Sequence, residues 1–462
     1  MGFSDIGLFV KIGFLTAVLG TIIFMVGMAT RKWQEADLGV AKYYNGLWRK
    51  CVETSAQTTC EETDSDKDWS KACIGFIIMT VIACVAGITS LILYFIKSDL
   101  KVLHIVSIIT IFVAGLFAII GVGLYAANYD EDVPAVVKEH LNLAWSIWLT
   151  LVGGIILIIA SVLVAIDKFI RLLEVQSAMG FPEFMSCPNR TKFNSMEGLY
   201  VLIRRLSYPN RLEDLSFLFG RTKFELSNIF NTTLDFIYEK YERLLLTPDR
   251  PWLSPGDLDA MTTAVSDKGS PLDNCWGFID GTIRPICRPR QNQRVVYSGH
   301  KRVHGLKFQS IMAPNGMIAH FYGPIEGRRH DSGMLRESGV ETEMQHMMNR
   351  PNIVFCVYGD PAYPLTPYIV PPFRCAVISA NQDRFNKKMS AVRVCVEWGF
   401  GKLLSLFAFL DYKKNQKLYL QPIGKYYKVA VILTNCHTCL YGSETSTYFG
   451  LRPPTVQEYL RL

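Results

Sequence analysis

Charge is scarce in this 462-residue chain: Asp, Glu, Lys and Arg together make up 19% of it, against a hydrophobic fraction of 50%. With a mean hydropathy of +0.18, that excludes an intrinsically disordered chain, because so much apolar surface would not stay in water. It also argues against a purely soluble protein. Cysteine is thin as well, at 12 residues, too dilute for a small disulfide scaffold but enough for a local pair. Beyond Arg171 the sequence holds no apolar run long enough to cross a bilayer. The charges are also unevenly divided. Up to Arg171 there are 13 basic and 15 acidic residues, and beyond it 35 and 26, so the whole positive excess lies in the second part. Ile6 stands where a myristoylation signal needs Ser or Thr after Met1-Gly2.

The hydrophobicity is concentrated in four runs, Gly7–Ala29, Ala72–Ile96, Val102–Ala126 and Ala144–Ile166. Each reaches the ~20 residues a helix needs to cross the hydrocarbon, so residues 1–171 are expected to form four transmembrane helices. Lys11 interrupts the first run and no small-residue cleavage site follows before Arg31, which favours an uncleaved helix over a signal peptide. Lys97, Lys101, Lys168 and Arg171 flank the second and fourth runs on one side, while the connection 128–142 carries Asp130, Glu131 and Asp132. The positive-inside tendency then predicts both termini in the cytoplasm. The loop Thr30–Lys71 faces outside, where a Cys51–Cys60 disulfide can persist and Trp33 and Trp48 supply rigid apolar surface for a small extracellular sheet.

The pattern Trp33, then Gly46-Leu47-Trp48, then Cys51 and Cys60, set between the first two of four spans, resembles the claudin and peripheral-myelin-protein tetraspan superfamily over residues 1–171. The resemblance implies an all-α four-helix bundle with a small extracellular β-sheet. It also implies a role in adhesion, in junctions or as an accessory subunit.

After Arg171 the chain reads as a linker over 172–210, a helical segment over 211–270 and an α/β domain over 271–462. Pro182, Pro188 and Pro209 break the linker. Leu226, Ile229, Phe230, Leu234 and Ile237 recur at helical spacing. With Arg221 and Lys223 near a turn, this segment suits either a helix-turn-helix or a packing cap. From Cys275 the pattern is strand-like. Trp276–Asp280 reads as a strand ending in a carboxylate, Gly281-Thr282 as a turn into a second strand at Ile283–Cys287, and Pro314-Asn315-Gly316 as a hairpin turn. Asn352–Tyr358 is a further strand, followed by Asp360, and Asn386–Phe409 reads as one long helix with Glu397 in its middle.

Asp280, Asp360 and Glu397 therefore sit at structured places that can converge at one sheet edge, and carboxylate oxygens suit Mg²⁺ or Mn²⁺. The motifs FIDGT at Phe278–Thr282, SGHKRVHGLKFQ at Ser298–Gln309, GRRHD at Gly327–Asp331, YGDPAY at Tyr358–Tyr363 and VEWGF at Val396–Phe400 together resemble the nuclease of PIF/Harbinger transposases and their host-domesticated relatives. These belong to the DDE superfamily, with an α/β ribonuclease H-like core. The resemblance implies that Asp280, Asp360 and Glu397 form a catalytic triad holding the divalent metal for hydrolysis of DNA phosphodiesters. His330 and Asp331 match the HD element and are read as structural or substrate-side support.

Arg288, Arg290, Lys301, Arg302, Lys307, Arg328 and Arg329 crowd the same stretch and are the candidate contacts to DNA phosphates. No Myb-like repeat occurs, and the resemblance implies a separate Myb-like DNA-binding partner. A homo-oligomer is a further expectation. Cys436-His437-Thr438-Cys439 lacks a second CxxC and reads as packed core rather than a zinc half-site.

The two parts together predict a divalent-metal-dependent endonuclease of transposase origin, held in a membrane by a tetraspan anchor and meeting DNA at the nuclear envelope. One alternative is a claudin-like adhesion or junction protein with an inactive nuclease passenger. Another is a fused gene prediction, which a transcript read across Leu172–Arg190 decides.

Overall fold

The computed structural model describes residues 7–63, 67–96, 101–131, 135–248, 250–350, 353–375 and 377–462. Lys97 and Asp132, used above for orientation, and Asn352, the start of an expected strand, lie outside the described residues. The chain divides into two units, Met1–Arg171 and Leu172–Leu462.

In the first unit, helices α1 (Leu8–Ala29), α2 (Asp68–Ile96), α3 (Lys101–Asn128) and α4 (Trp145–Ala178) are long and apolar enough to cross a membrane. The fourth helix runs well past the Ile166 expected from hydropathy. In lipid, association rests on close packing rather than on a hydrophobic drive, so small residues belong at the contacts. Gly13, Gly20 and Gly27, seven apart on α1, face Val164, Ile156 and Thr150 of α4. Gly153 of α4 lies so close to α1 that a Cβ there would be 2.7 Å from the Phe24 nitrogen. The seven-residue spacing of these glycines on α1 keeps them on one face of the helix, opposite Gly153.

Strands β1 (Gln34–Asp37), β2 (Ala41–Asn45), β3 (Arg49–Thr54), β4 (Thr58–Glu62) and β5 (Leu141–Leu143) form an antiparallel sheet in the order 4-3-2-1-5. Its fifth strand comes from the connection before α4, which hydropathy did not single out. The tryptophan motif has a local cause. Trp33 is fully buried and donates Nε1–H to the Gly27 carbonyl at 2.9 Å, and Trp48 donates to Met28 at 3.2 Å. Both indoles thus satisfy carbonyls that the end of α1 leaves without helical partners. Gly46 permits the approach, since a Cβ there would sit 2.7 Å from the Arg31 Cα. Cys51 and Cys60 face each other across β3 and β4 and are joined in a disulfide.

The second unit begins where a linker was expected, and that expectation is corrected. Residues 172–210 hold the end of α4, a hairpin of β6 (Phe184–Ser186) and β7 (Lys192–Asn194), and helix α5 (Ser195–Ser207). Val175, Met179, Cys187, Phe193 and Leu199 belong to the main core. Lys240 and Tyr241 both donate to the Met179 carbonyl at 2.9 Å. Helices α6 (Leu212–Phe219) and α7 (Lys223–Tyr241) follow. Arg221, between them, forks onto both oxygens of Glu197, and Lys223 pairs with Glu213. Those two cations are engaged within the protein, which favours a packing cap over a DNA-reading helix pair.

Strands β8 (Cys275–Pro285), β9 (Val303–Met312), β10 (Ile318–Glu326), β11 (Cys356–Tyr358) and β12 (Ile369–Val370) lie in the order 10-9-8-11-12. The first three are an antiparallel meander, and β11 and β12 run parallel to β8. The expected turn at Gly281-Thr282 is not there: β8 is one strand that passes straight through Asp280. The turn Pro314-Asn315-Gly316 joins β9 to β10 with Gly316 at φ +84, a conformation glycine adopts without strain. Helix α8 (Ile423–Tyr441) covers the sheet. Its buried Asn435 accepts the Ile318 N–H and donates to the Ile318 carbonyl, both at 2.9 Å. Cys436 packs into the same core and is free, as expected for the CxxC-like run.

A packing test follows for the helical bundle. Gly153→Ile forces α1 and α4 apart and is expected to destabilise the reconstituted full-length protein by about 1–3 kcal/mol. Gly75→Ile has no neighbour within 4 Å of the new Cβ and is expected to be neutral. Loss of helicity on SDS titration is the measurement, and equal effects of the two variants would refute the close contact.

Candidate active site

The site is built by strand register. Phe278 of β8 is paired with Tyr358 of β11 in parallel. Two residues further along each chain come Asp280, still within β8, and Asp360, just past the end of β11, near enough for its charge to act on Asp280. Asp280 lies mid-strand opposite Ser310 of β9. Its Oδ1 accepts the Gly281 N–H at 2.9 Å, and Arg393 Nη2 donates to its Oδ2 at 3.4 Å. Asp360 follows the end of β11, and its Oδ1 accepts the Ala362 N–H at 3.0 Å.

A third carboxylate arrives from helix α9 (Asp331–Ser338). A Cβ on Gly281 would stand 2.9 Å from Asp331 Oδ1, so the glycine after Asp280 makes room for this acid. Lys307 of β9 donates to the same oxygen at 2.9 Å. Beneath the three acids Tyr363 is buried, with its hydroxyl 3.5 Å from Gln309 Oε1. Burial raises the Tyr363 phenol well above its ordinary value, and Asp331, Asp280 and Asp360 add to that rise.

Burial is also the main reason that the Asp280 carboxyl is pushed up to about 6. Arg393 opposes the shift, while Asp360 and Asp331 support it. Asp280 thus has Asp360 and Asp331 as acidic neighbours.

Where a single helix was expected over Asn386–Phe409, helical backbone runs in two segments, α10 (Ala380–Arg393) and α11 (Cys395–Leu406), with Val394 between them at the helical angles φ −51 and ψ −24. Arg393, the last residue of α10, faces Asp280, while Glu397 lies exposed in the first turn of α11. Asp331 opens α9 and acts electrostatically on Asp280, while exposed His330 holds the N-cap position of α9 without a side-chain capping bond. Among the described residues no group of three His, Cys, Asp or Glu side chains converges to hold a metal ion. The oxygen-only donors fit a hard divalent cation by chemistry. Two side-chain cations, Arg393 and Lys307, stand among them in this arrangement.

The basic residues separate into two sets. Arg290, Lys301, Arg302 and Arg328 are exposed, as is Arg288, whose Nε donates to Gln293 at 3.0 Å. Lys307 points at Asp331 instead of outward, and Arg329 pairs with Glu326 and Glu337. The sequence reading missed Arg393, Tyr363 and Gln309 as neighbours of the site. Tyr363 closes the YGDPAY motif, which was the available signal for it.

A mixed sheet with Asp280 on its central strand and Asp360 just past the neighbouring parallel strand gives the second unit a mixed α/β fold, joined in one chain to a unit of four long apolar helices. Residues 279–435 match the family model described as DDE superfamily endonuclease, and residues 7–164 match that of the PMP-22/EMP/MP20/Claudin family. Protein ALP1-like of Arabidopsis thaliana is 24% identical over 234 residues, covering 48% of this chain and 55% of that protein. Human lens fiber membrane intrinsic protein is 33% identical over 76 residues, covering 16% of this chain and 42% of its own length. The chain thus spans about half the length of the curated relatives it matches.

The elevated Asp280 carboxyl has a thermodynamic consequence. The folded state holds the proton more tightly than the unfolded chain, so stability rises as pH falls from above about 6 towards 4, and ionisation at neutral pH costs the metal-free fold about 1–3 kcal/mol. Asp280→Asn is expected to raise hydrogen-exchange protection of β8 at pH 7, with the gain vanishing below about pH 4. Unchanged or lower protection at pH 7 would contradict a destabilised carboxylate.

Proposed function

We propose that this protein is a divalent-metal-dependent endonuclease of transposase origin acting on DNA, with its catalytic unit tethered to a membrane by the four-span unit. The observation that carries the reading is the parallel register that sets Asp280 beside Asp360, inside the region matched by the endonuclease family. Asp280 and Asp360, with Asp331 or Glu397, would hold Mg²⁺ or Mn²⁺. Such an ion, when bound, activates water and stabilises the leaving oxygen in phosphodiester hydrolysis.

The chain's own residues supply the remainder. Exposed Arg288, Arg290, Lys301, Arg302 and Arg328 neutralise backbone phosphates and hold a strand in register without reading bases. Tyr363 and Gln309 form a buried floor that keeps water from beneath the acids. With both termini cytoplasmic, the nuclear envelope is where a tethered nuclease meets DNA. A Myb-like companion would supply sequence recognition.

The test is nicking of supercoiled plasmid by the detergent-solubilised full-length chain with Mn²⁺. Nicking is expected, and Asp280→Asn or Asp360→Asn is expected to reduce it at least 100-fold, on the order of the loss when a group central to transition-state stabilisation is removed. Absence of nicking by the unmodified chain, or nicking that survives both substitutions, overturns the proposal.

A second reading, a claudin-like adhesion protein carrying an inactive nuclease, is favoured by one observation: Glu397 stands apart from the acid group. Full-length protein at cell contacts supports that reading, and a nuclear-envelope signal supports the first.

A further inference from the structure

The acid group is partly countered from within, with two cations against three carboxylates. Arg393 Nη2 stands 3.4 Å from Asp280 Oδ2, and Lys307 Nζ stands 2.9 Å from Asp331 Oδ1. All four side chains are largely withdrawn from water, at 23% and 18% exposure for the first pair and 17% and 20% for the second. Carboxylates in that setting need a countercharge, and a buried pair broken on one side leaves the other charge uncompensated. A divalent ion competes for the same oxygens.

The two cations are held differently. Lys307 is fixed mid-strand in β9, opposite Ile283 of β8. Arg393 ends α10, and one residue, Val394, separates it from α11. Its contact with Asp280 is the longer of the two and involves a single Nη. A guanidinium also matches phosphate geometry with two parallel hydrogen bonds, which a single 3.4 Å contact to a carboxylate does not use.

We infer that Arg393 is the resident countercation of Asp280, that it holds divalent metal affinity down in the free protein, and that a DNA phosphate relieves this by drawing the guanidinium away. Arg393 is in these terms a positioning residue that couples substrate to metal loading. By linkage, metal then strengthens DNA binding by the same factor. This rests on the nuclease reading above and adds to it the order of assembly.

The test is Mn²⁺ binding to the full-length chain in detergent, followed by loss of the free-ion electron paramagnetic resonance signal, with and without a short DNA duplex. The unmodified chain is expected to bind weakly alone and on the order of tenfold more tightly with DNA, the scale by which one nearby charge shifts a carboxylate equilibrium. Arg393→Gln is expected to bind that tightly without DNA and to gain little from it. Arg393→Lys, which keeps the charge, should remain weak alone, and Asp280→Asn should abolish the site in every background.

If the unmodified chain binds Mn²⁺ and Arg393→Gln binds it equally or more weakly, the inference fails while the nuclease reading stands. If no Asp280-dependent binding occurs in either, with or without DNA, both fall. Hydrogen-exchange protection of β8 in each variant separates these outcomes from misfolding. A misfolded Arg393→Gln transfers the decision to Arg393→Met, for which the same tightening is required.

Discussion

The parallel pairing of β8 with β11 is the constraint on which the second unit depends. The two strands are separated by about 80 residues of chain, so the pairing is non-local, and a slip of one residue would turn every side chain to the opposite face. In the observed register Phe278 meets Tyr358, and Asp280 and Asp360, each two residues further on, come near enough to interact electrostatically. Trp276 and Phe278 are fully buried in the same strand. The apolar residues that fix the strand in the core therefore also fix the acids against each other, with Gly281 leaving space for Asp331.

Placing three carboxylates together in a partly dry sheet edge is unfavourable unless charge is supplied. Arg393 and Lys307 supply it from within the chain, and a metal ion can supply it from outside. In the inference drawn above these two sources compete, which ties the electrostatics of folding to the chemistry of the site. The membrane unit solves a different problem in a different solvent. There the glycines of α1 allow backbone approach where lipid gives no hydrophobic drive, and two indole N–H groups close the carbonyl end of the same helix.

Much was legible in the residues because it depended on local pattern. Apolar runs located the four spans, since length and hydropathy alone decide whether a helix can cross. The W-GLW-C-C run anticipated the small sheet and the disulfide, and the Pro314-Asn315-Gly316 turn marked the hairpin. What was misread depended on partners distant in sequence. The prolines of residues 172–210 suggested a linker, yet Phe193 and Leu199 are core residues because distant helices cover them. Gly281-Thr282 resembled a turn because glycine favours one. Continuous antiparallel pairing with β9 from Phe278 through Pro285, with β11 on the other edge, keeps the strand straight.

Sequence alone determined that one chain addresses two solvents, that its positive charge belongs with the second, and that Asp280 and Asp360 lie in motifs resembling those of DDE-type nucleases, since composition and short motifs are local properties. Tertiary structure decided which groups surround Asp280. Arg393, at the end of α10, reaches Asp280, and Asp331 joins from the start of α9. Such proximity depends on how helices end and pack, which is set by contacts across hundreds of residues rather than by the spacing of any motif.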